Sequence, residues 1–148
     1  MNADTLHDVF NSPDVAAFFA GFPLVLLHAA ITLVILVLAA VLYALTTPYK
    51  EITAIRDGNA AAAVSFGGVI VGLAIPLALA LNAANTTREL VIWGAATAVV
   101  QLLVFRLTDF VLMGLPSRVY NDGEVPAAVL LVAAKLAGAF IIAAAVAG

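Results

Sequence analysis

The chain has 148 residues, of which 65% are hydrophobic and 10% charged, with a formal net charge of −3 and no cysteine. Soluble domains run nearer ~45–50% apolar and ~25% charged, so a water-soluble fold of this size would lack the polar surface to cover itself, and lipid is the expected solvent. Six scattered Lys and Arg give no basic stripe for nucleic acid, and the missing cysteine excludes disulfides, thiolate metal sites and cysteine nucleophiles.

Taken from the N-terminus, the first fourteen residues carry Asp4, Asp8 and Asp14 and no Lys or Arg, the opposite of a cationic signal-peptide start. Ser12-Pro13-Asp14 reads as a helix start, with Ser12 as N-cap and Pro13 in the first helical position. The stretch from Val15 to Tyr49 has no charge. As one helix it would be ~52 Å long against ~30 Å of hydrocarbon, which is too long for one span. Gly21-Phe22-Pro23 reads as a bend, so an interfacial segment is expected over about 13–20 and the first span over about 22–46. The second span is expected over about 59–83, capped by Asn59 and kinked at Pro76. The third is expected over about 89–113, ending near Gly114-Leu115-Pro116. The fourth is expected over about 124–146, with Pro126 tolerated in its first turn. The fold class is therefore all-α, a single transmembrane domain over residues 1–148 forming an integral membrane four-helix bundle.

The spans look like two tandem helical hairpins. Asp57-Gly58-Asn59 precedes Ala62-Ala63-Val64, and Asp122-Gly123-Glu124 precedes Ala127-Ala128-Val129, at an offset of 122 − 57 = 65 residues. Such hairpins share topology, which makes the repeat parallel rather than inverted. Lys50 and Arg56 in the first connection and Arg118 in the third outweigh Arg88 in the second, so the positive-inside rule puts the first and third connections in the cytoplasm and both termini in the periplasm.

In lipid the polar side chains carry the information. Lys135 lies ~16 Å along the fourth span, near the bilayer centre, and Arg106 and Asp109 are three apart on the third span and share a face. Asp109 is the carboxylate available to both cations, and the sequence leaves open whether it pairs with Lys135 or with Arg106. With Gln101 these form a candidate intramembrane polar cluster, read either as an ion pair locking two helices or as a polar path. Gln101, Thr97 and Thr108 read as interhelical hydrogen-bonding groups, and His28 as a hydrogen-bonded core histidine rather than a metal or haem ligand. Gly68-Val69-Ile70-Val71-Gly72 with Pro76 forms a helix-packing stripe together with Val64, for contact within the chain or between subunits. Lys50, Glu51, Arg56 and Asp57 read as solvated loop charges. No catalytic constellation, cofactor fingerprint or metal-ligand spacing appears, so neither an enzyme nor a cofactor is expected.

The run Ile55-Arg56-Asp57-Gly58-Asn59-Ala60-Ala61-Ala62, continuing through Phe66-Gly67-Gly68 to Gly72 and Ile75-Pro76-Leu77, resembles the domain of unknown function 350 family, the YjfL-like small bacterial inner-membrane proteins. Trp93-Gly94, Gln101-Leu102-Leu103-Val104-Phe105 and Ala127-Ala128 resemble it too, so the likeness covers about residues 20–145. It implies four inner-membrane helices in two related hairpins and no particular activity. It also implies that Gly58, Asn59, Gly68, Gly72, Pro76 and Gln101 matter. Lys135 and Ile142-Ala143-Ala144 depart from the family pattern. The expectation is an oligomerising structural or accessory subunit of a membrane assembly, partnered by the bilayer, by its own copies or by other membrane subunits. The alternative is a small oligomeric ion, proton or solute channel or transporter using the intramembrane charges.

Overall fold

A computed structural model describes residues 12–148, so Asp4 and Asp8 of the acidic N-terminal arm lie outside the described residues. The described residues form six helices: α1 (Pro13–Thr46), α2 (Glu51–Arg56), α3 (Ala60–Ala83), α4 (Thr87–Val111), α5 (Leu115–Tyr120) and α6 (Val125–Ala147). No strand occurs among the described residues. The four long helices are each apolar and long enough to cross a bilayer. Hydrocarbon offers no hydrogen-bond partners, and a helix satisfies its backbone internally, which is why such apolar runs fold this way.

The caps follow the sequence. Ser12 accepts from the Val15 N–H at 3.4 Å and Asn59 accepts from the Ala62 N–H at 2.9 Å. Thr86 accepts from the Glu89 N–H at 3.2 Å, which starts α4 two residues before the expected 89, and Glu89 in turn accepts from the Asn85 N–H at 3.0 Å. Gly58 and Gly114 turn the chain with φ of 89° and 90°, beyond the reach of ordinary side chains.

Two expectations are corrected. The bend at Gly21-Phe22-Pro23 does not interrupt the helix, and α1 runs unbroken for 34 residues. Proline removes one donor from the ladder, a loss that membrane helices tolerate because the surrounding turns keep their own bonds. The connections that precede α3 and α6 are also not plain loops, since α2 and α5 fold as six-residue helices. Elements this short carry too few residues for a periodic signal.

The tandem repeat is present in the element boundaries. α1 ends at Thr46 and α4 at Val111 (46 + 65 = 111), while α3 begins at Ala60 and α6 at Val125 (60 + 65 = 125). Gly58 and Gly123 (58 + 65 = 123) both take positive φ. The first residue of α4, Thr87, corresponds to Phe22, so residues 13–21 are an extension of α1 with no counterpart in α4.

α3 and α6 form the most extensive helix contact and make the middle of the bundle. Close approach is possible there because glycine sits at the crossing. A Cβ at Gly68 would lie 2.3 Å from a Val132 methyl of α6, while α4 approaches both helices at their glycines, with Phe105 2.8 Å from a Cβ at Gly72 and a Val104 methyl 2.5 Å from one at Gly138. The stripe of small residues is therefore used inside the bundle, with Pro76 buried in the same face, while Val64 falls outside it, exposed. α1 sits at the edge and buries only Ala39 and Tyr43. His28 meets the Thr87 hydroxyl at 3.0 Å, which gives that histidine the expected hydrogen bond and aligns residue 28 with the start of α4.

Candidate functional site

At the end of the bundle that carries α2 and α5, three spans bring polar groups together. Lys135 leaves the backbone ten residues into α6, ~15 Å from the start of that helix. Helical side chains lean toward the N-terminus, so its stem runs back toward the α2/α5 end. Asp109 and Tyr43 stand there, each within about one turn of the ends of α4 and α1. The Lys135 ammonium donates to Asp109 Oδ1 at 2.8 Å and to the Tyr43 hydroxyl at 2.7 Å. The Tyr43 hydroxyl donates to Asp109 Oδ2 at 3.4 Å. The lysine backbone is thus near mid-helix while its charge lies well toward one end, a long-stem compromise between burial and polarity.

The pairing left open by sequence is Lys135 with Asp109. Arg106 turns instead to the end of α1, donating to the Tyr43 carbonyl oxygen at 3.3 Å and to the Thr46 hydroxyl. Both cations also use the Tyr43 ring. Lys135 Nζ lies 4.9 Å from its centroid and Arg106 Cζ 5.1 Å. Phe105 meets Tyr43 edge to face at 5.9 Å and closes the cluster on its inner side. Lys135 is 1% exposed and Asp109 17%, so the pair is nearly dry, and such a pair persists only when its hydrogen bonds are satisfied.

Tyr43, Arg106, Asp109 and Lys135 line a cavity of about 280 Å³ that also touches Thr47, Tyr49, Ser65 and Tyr120. Tyr49 and Tyr120 stack at 4.7 Å, joining the two connections. Burial pushes the Tyr120 hydroxyl up to about 12, against which its contact with Ser65 at 3.4 Å works in the opposite direction. Asn59 ties the same connections together, donating to the Val119 and Tyr120 carbonyl oxygens at 3.0 and 3.3 Å while it caps α3. Of the loop motif, Asn59 is therefore a cap and a tether and Gly58 a turn, while Asp57 caps the end of α2 through its backbone.

Glu51 corrects the reading of the first connection as solvated charges, because it is 1% exposed and accepts from the Thr47 hydroxyl. Burial pushes its carboxyl above the usual carboxylate range. Tyr43 and Glu51 are the members that sequence reasoning missed. A tyrosine near a span end is ordinary, and a glutamate just past one defaults to solvent.

Gln101 does not join the cluster. It is fully buried in α4 at mid-span, and neither its amide nitrogen nor its oxygen has a hydrogen-bond partner among the described residues. The expected interhelical bond is therefore absent among the described residues, and Thr108 bonds back to the Val104 carbonyl of its own helix. Among the described residues no group of three or more His, Asp or Glu is placed to hold a metal ion.

Four apolar helices enclosing an intramembrane ion pair define a multi-pass membrane protein. The model of a domain of unknown function, DUF350, matches residues 17–146, and the chain belongs to that family. It is 29% identical over 125 residues to the UPF0719 inner membrane protein YjfL of Escherichia coli K12, covering 84% of this chain and 86% of that one. The same protein of Escherichia coli O157:H7 matches equally. The protein is thus placed in the inner membrane. No solved structure matches.

Proposed function

We propose that this protein is a non-enzymatic subunit of a membrane assembly, built from its own copies or with other membrane subunits, with α1 as the assembly surface. The observation that carries this reading is the length and exposure of α1. Fifteen residues, Pro13–Leu27, precede His28, which marks the outer edge of α4. They extend ~22 Å past it. Residues 16–27 are exposed throughout, and Phe18, Phe19, Phe22 and Leu24 are among them. A contiguous apolar surface of this kind marks a protein or membrane contact. The reading includes an interfacial segment at about 13–20, termini on the periplasmic side, and the α2/α5 end in the cytoplasm, which follows from Lys50, Arg56 and Arg118 lying at that end. The glycine stripe lends no support, since it is spent within the chain.

Single cysteines at Leu26 and Leu38, oxidised in native membranes, test the reading. Disulfide-linked dimers at these positions, with none at Val129 on α6, are expected. A monomer by native mass spectrometry in nanodiscs, without cross-links at any α1 position, would contradict it.

A second reading rests on the cavity. Lys135, Asp109 and Tyr43 line a cavity, where a helix lock alone needs no space beside it, and this favours passage of protons or small cations in the oligomer. In proteoliposomes the wild type then carries a flux that Asp109→Asn and Lys135→Ala abolish with assembly intact. Equal, background flux in all three would sink this second reading.

A further inference from the structure

Gln101 is the unexplained group in the bundle. An amide buried inside the bundle with neither end bonded is costly, and native structures explain such groups with ordered water or a ligand. Its position narrows the choice. Thr97, Gln101, Phe105 and Asp109 are spaced four apart and form one stripe along α4. Asp109, at one end of the stripe, lines the cavity of about 280 Å³. Thr97, at the other end, lines a second cavity of about 470 Å³ at the opposite end of the bundle, between Ala80, Trp93 and Ile142. Gln101 lies one turn inside Thr97, and Phe105 lies one turn further in.

Phe105 stands on this stripe between the amide and the ion pair. It is fully buried, its centroid is 5.7 Å from the Lys135 ammonium, and its far edge reaches the backbone of α3 at Gly72. The close approach to Gly72 leaves the ring little room beyond it, since even a methyl there would lie 2.8 Å from Cζ. One aromatic residue on α4 therefore stands between a buried, unsatisfied amide and the carboxylate that lines a charged, accessible cavity. Hydrophobic constrictions of this kind gate by excluding water.

We propose that Phe105 is the dewetted barrier of a water path along α4, and that Gln101 holds the water that carries protons between the two cavities when the ring moves aside. This deepens the transport reading and rests on it. The species that travels is the proton on water. Gln101 offers one donor pair and one acceptor to successive waters and has no charge that would hold an ion in place.

Two measurements on the full chain test it. In proteoliposomes with an internal pH dye, Phe105→Ala is expected to raise the proton leak several-fold above wild type, and Gln101→Leu is expected to remove the gain when combined with it. Independently of flux, the Gln101→Cys variant is expected to resist a small charged thiosulfonate reagent and to become reactive when Phe105→Ala is added. Phe105→Leu serves in place of Phe105→Ala if the larger truncation fails to fold. Wild-type flux that needs Asp109, with Phe105→Ala changing neither leak nor thiol reactivity, overturns the barrier and leaves the transport reading standing. Background flux in every sample, with an unreactive thiol, overturns both.

Discussion

Burying the Lys135 charge is tolerable because three things coincide: a carboxylate at 2.8 Å, a hydroxyl at 2.7 Å and an aromatic face 4.9 Å away. Removing one partner strands the other, so Asp109→Asn or Lys135→Ala should cost about 3–5 kcal/mol of stability, while the paired change Lys135→Met with Asp109→Leu should cost much less. Thermal unfolding in detergent reads this, and equal losses for single and double variants would refute the buried-pair account. Glu51 predicts a pH effect. Its carboxyl titrates above the ordinary 4.5 in the folded protein, so the unfolded chain releases its proton first as pH rises. Stability should therefore fall with rising pH from about 4.5 through the folded value, and Glu51→Gln should flatten that slope and raise the melting temperature at neutral pH. An unchanged slope would count against burial as the cause. Asp109, Arg106 and Lys135 were legible in sequence because a charge inside an apolar run has few innocent explanations. Which cation Asp109 takes was not, since that depends on how far a lysine stem reaches from another helix.

Adjacent glycines on α3 give the cleanest test of packing. Gly67 faces open space, whereas Gly68 faces Val132 at 2.3 Å from a would-be Cβ. Gly67→Ala should therefore be neutral or stabilise by up to about 1 kcal/mol through helix propensity, and Gly68→Ala should destabilise by about 1–3 kcal/mol through overpacking. Similar melting temperatures for the two variants would show that the α3–α6 contact is misassigned. The glycine stripe was visible in the sequence, but its partner was not, because GxxxG reads the same for an internal neighbour and a second subunit. The four spans were legible from charge-free runs, and the Asn59 cap from local chemistry. The unbroken α1 was not, since Gly21 and Pro23 carry the sequence pattern of a bend yet leave enough of the ladder intact for the helix to continue.

For the whole molecule, the matching boundaries of α1 with α4 and of α3 with α6 show that each hairpin repeats the other's path, so the two connections bearing α2 and α5 lie on one side and the Asn85–Thr86 connection on the opposite side. The polar groups do not follow the repeat. Lys135 corresponds to Ile70 (135 − 65 = 70) and Asp109 to Ala44 (109 − 65 = 44), so the charged cavity belongs to one end and one side of a pseudo-symmetric frame. The most direct test of the central claim, a four-span bundle with its charged cavity on the cytoplasmic side, uses the absence of native cysteine. Single cysteines at Ser117 and Thr86 are probed with an impermeant maleimide in intact spheroplasts and in inverted vesicles. Ser117→Cys should label in inverted vesicles and Thr86→Cys in spheroplasts, whereas labelling of both from the same side would contradict the account.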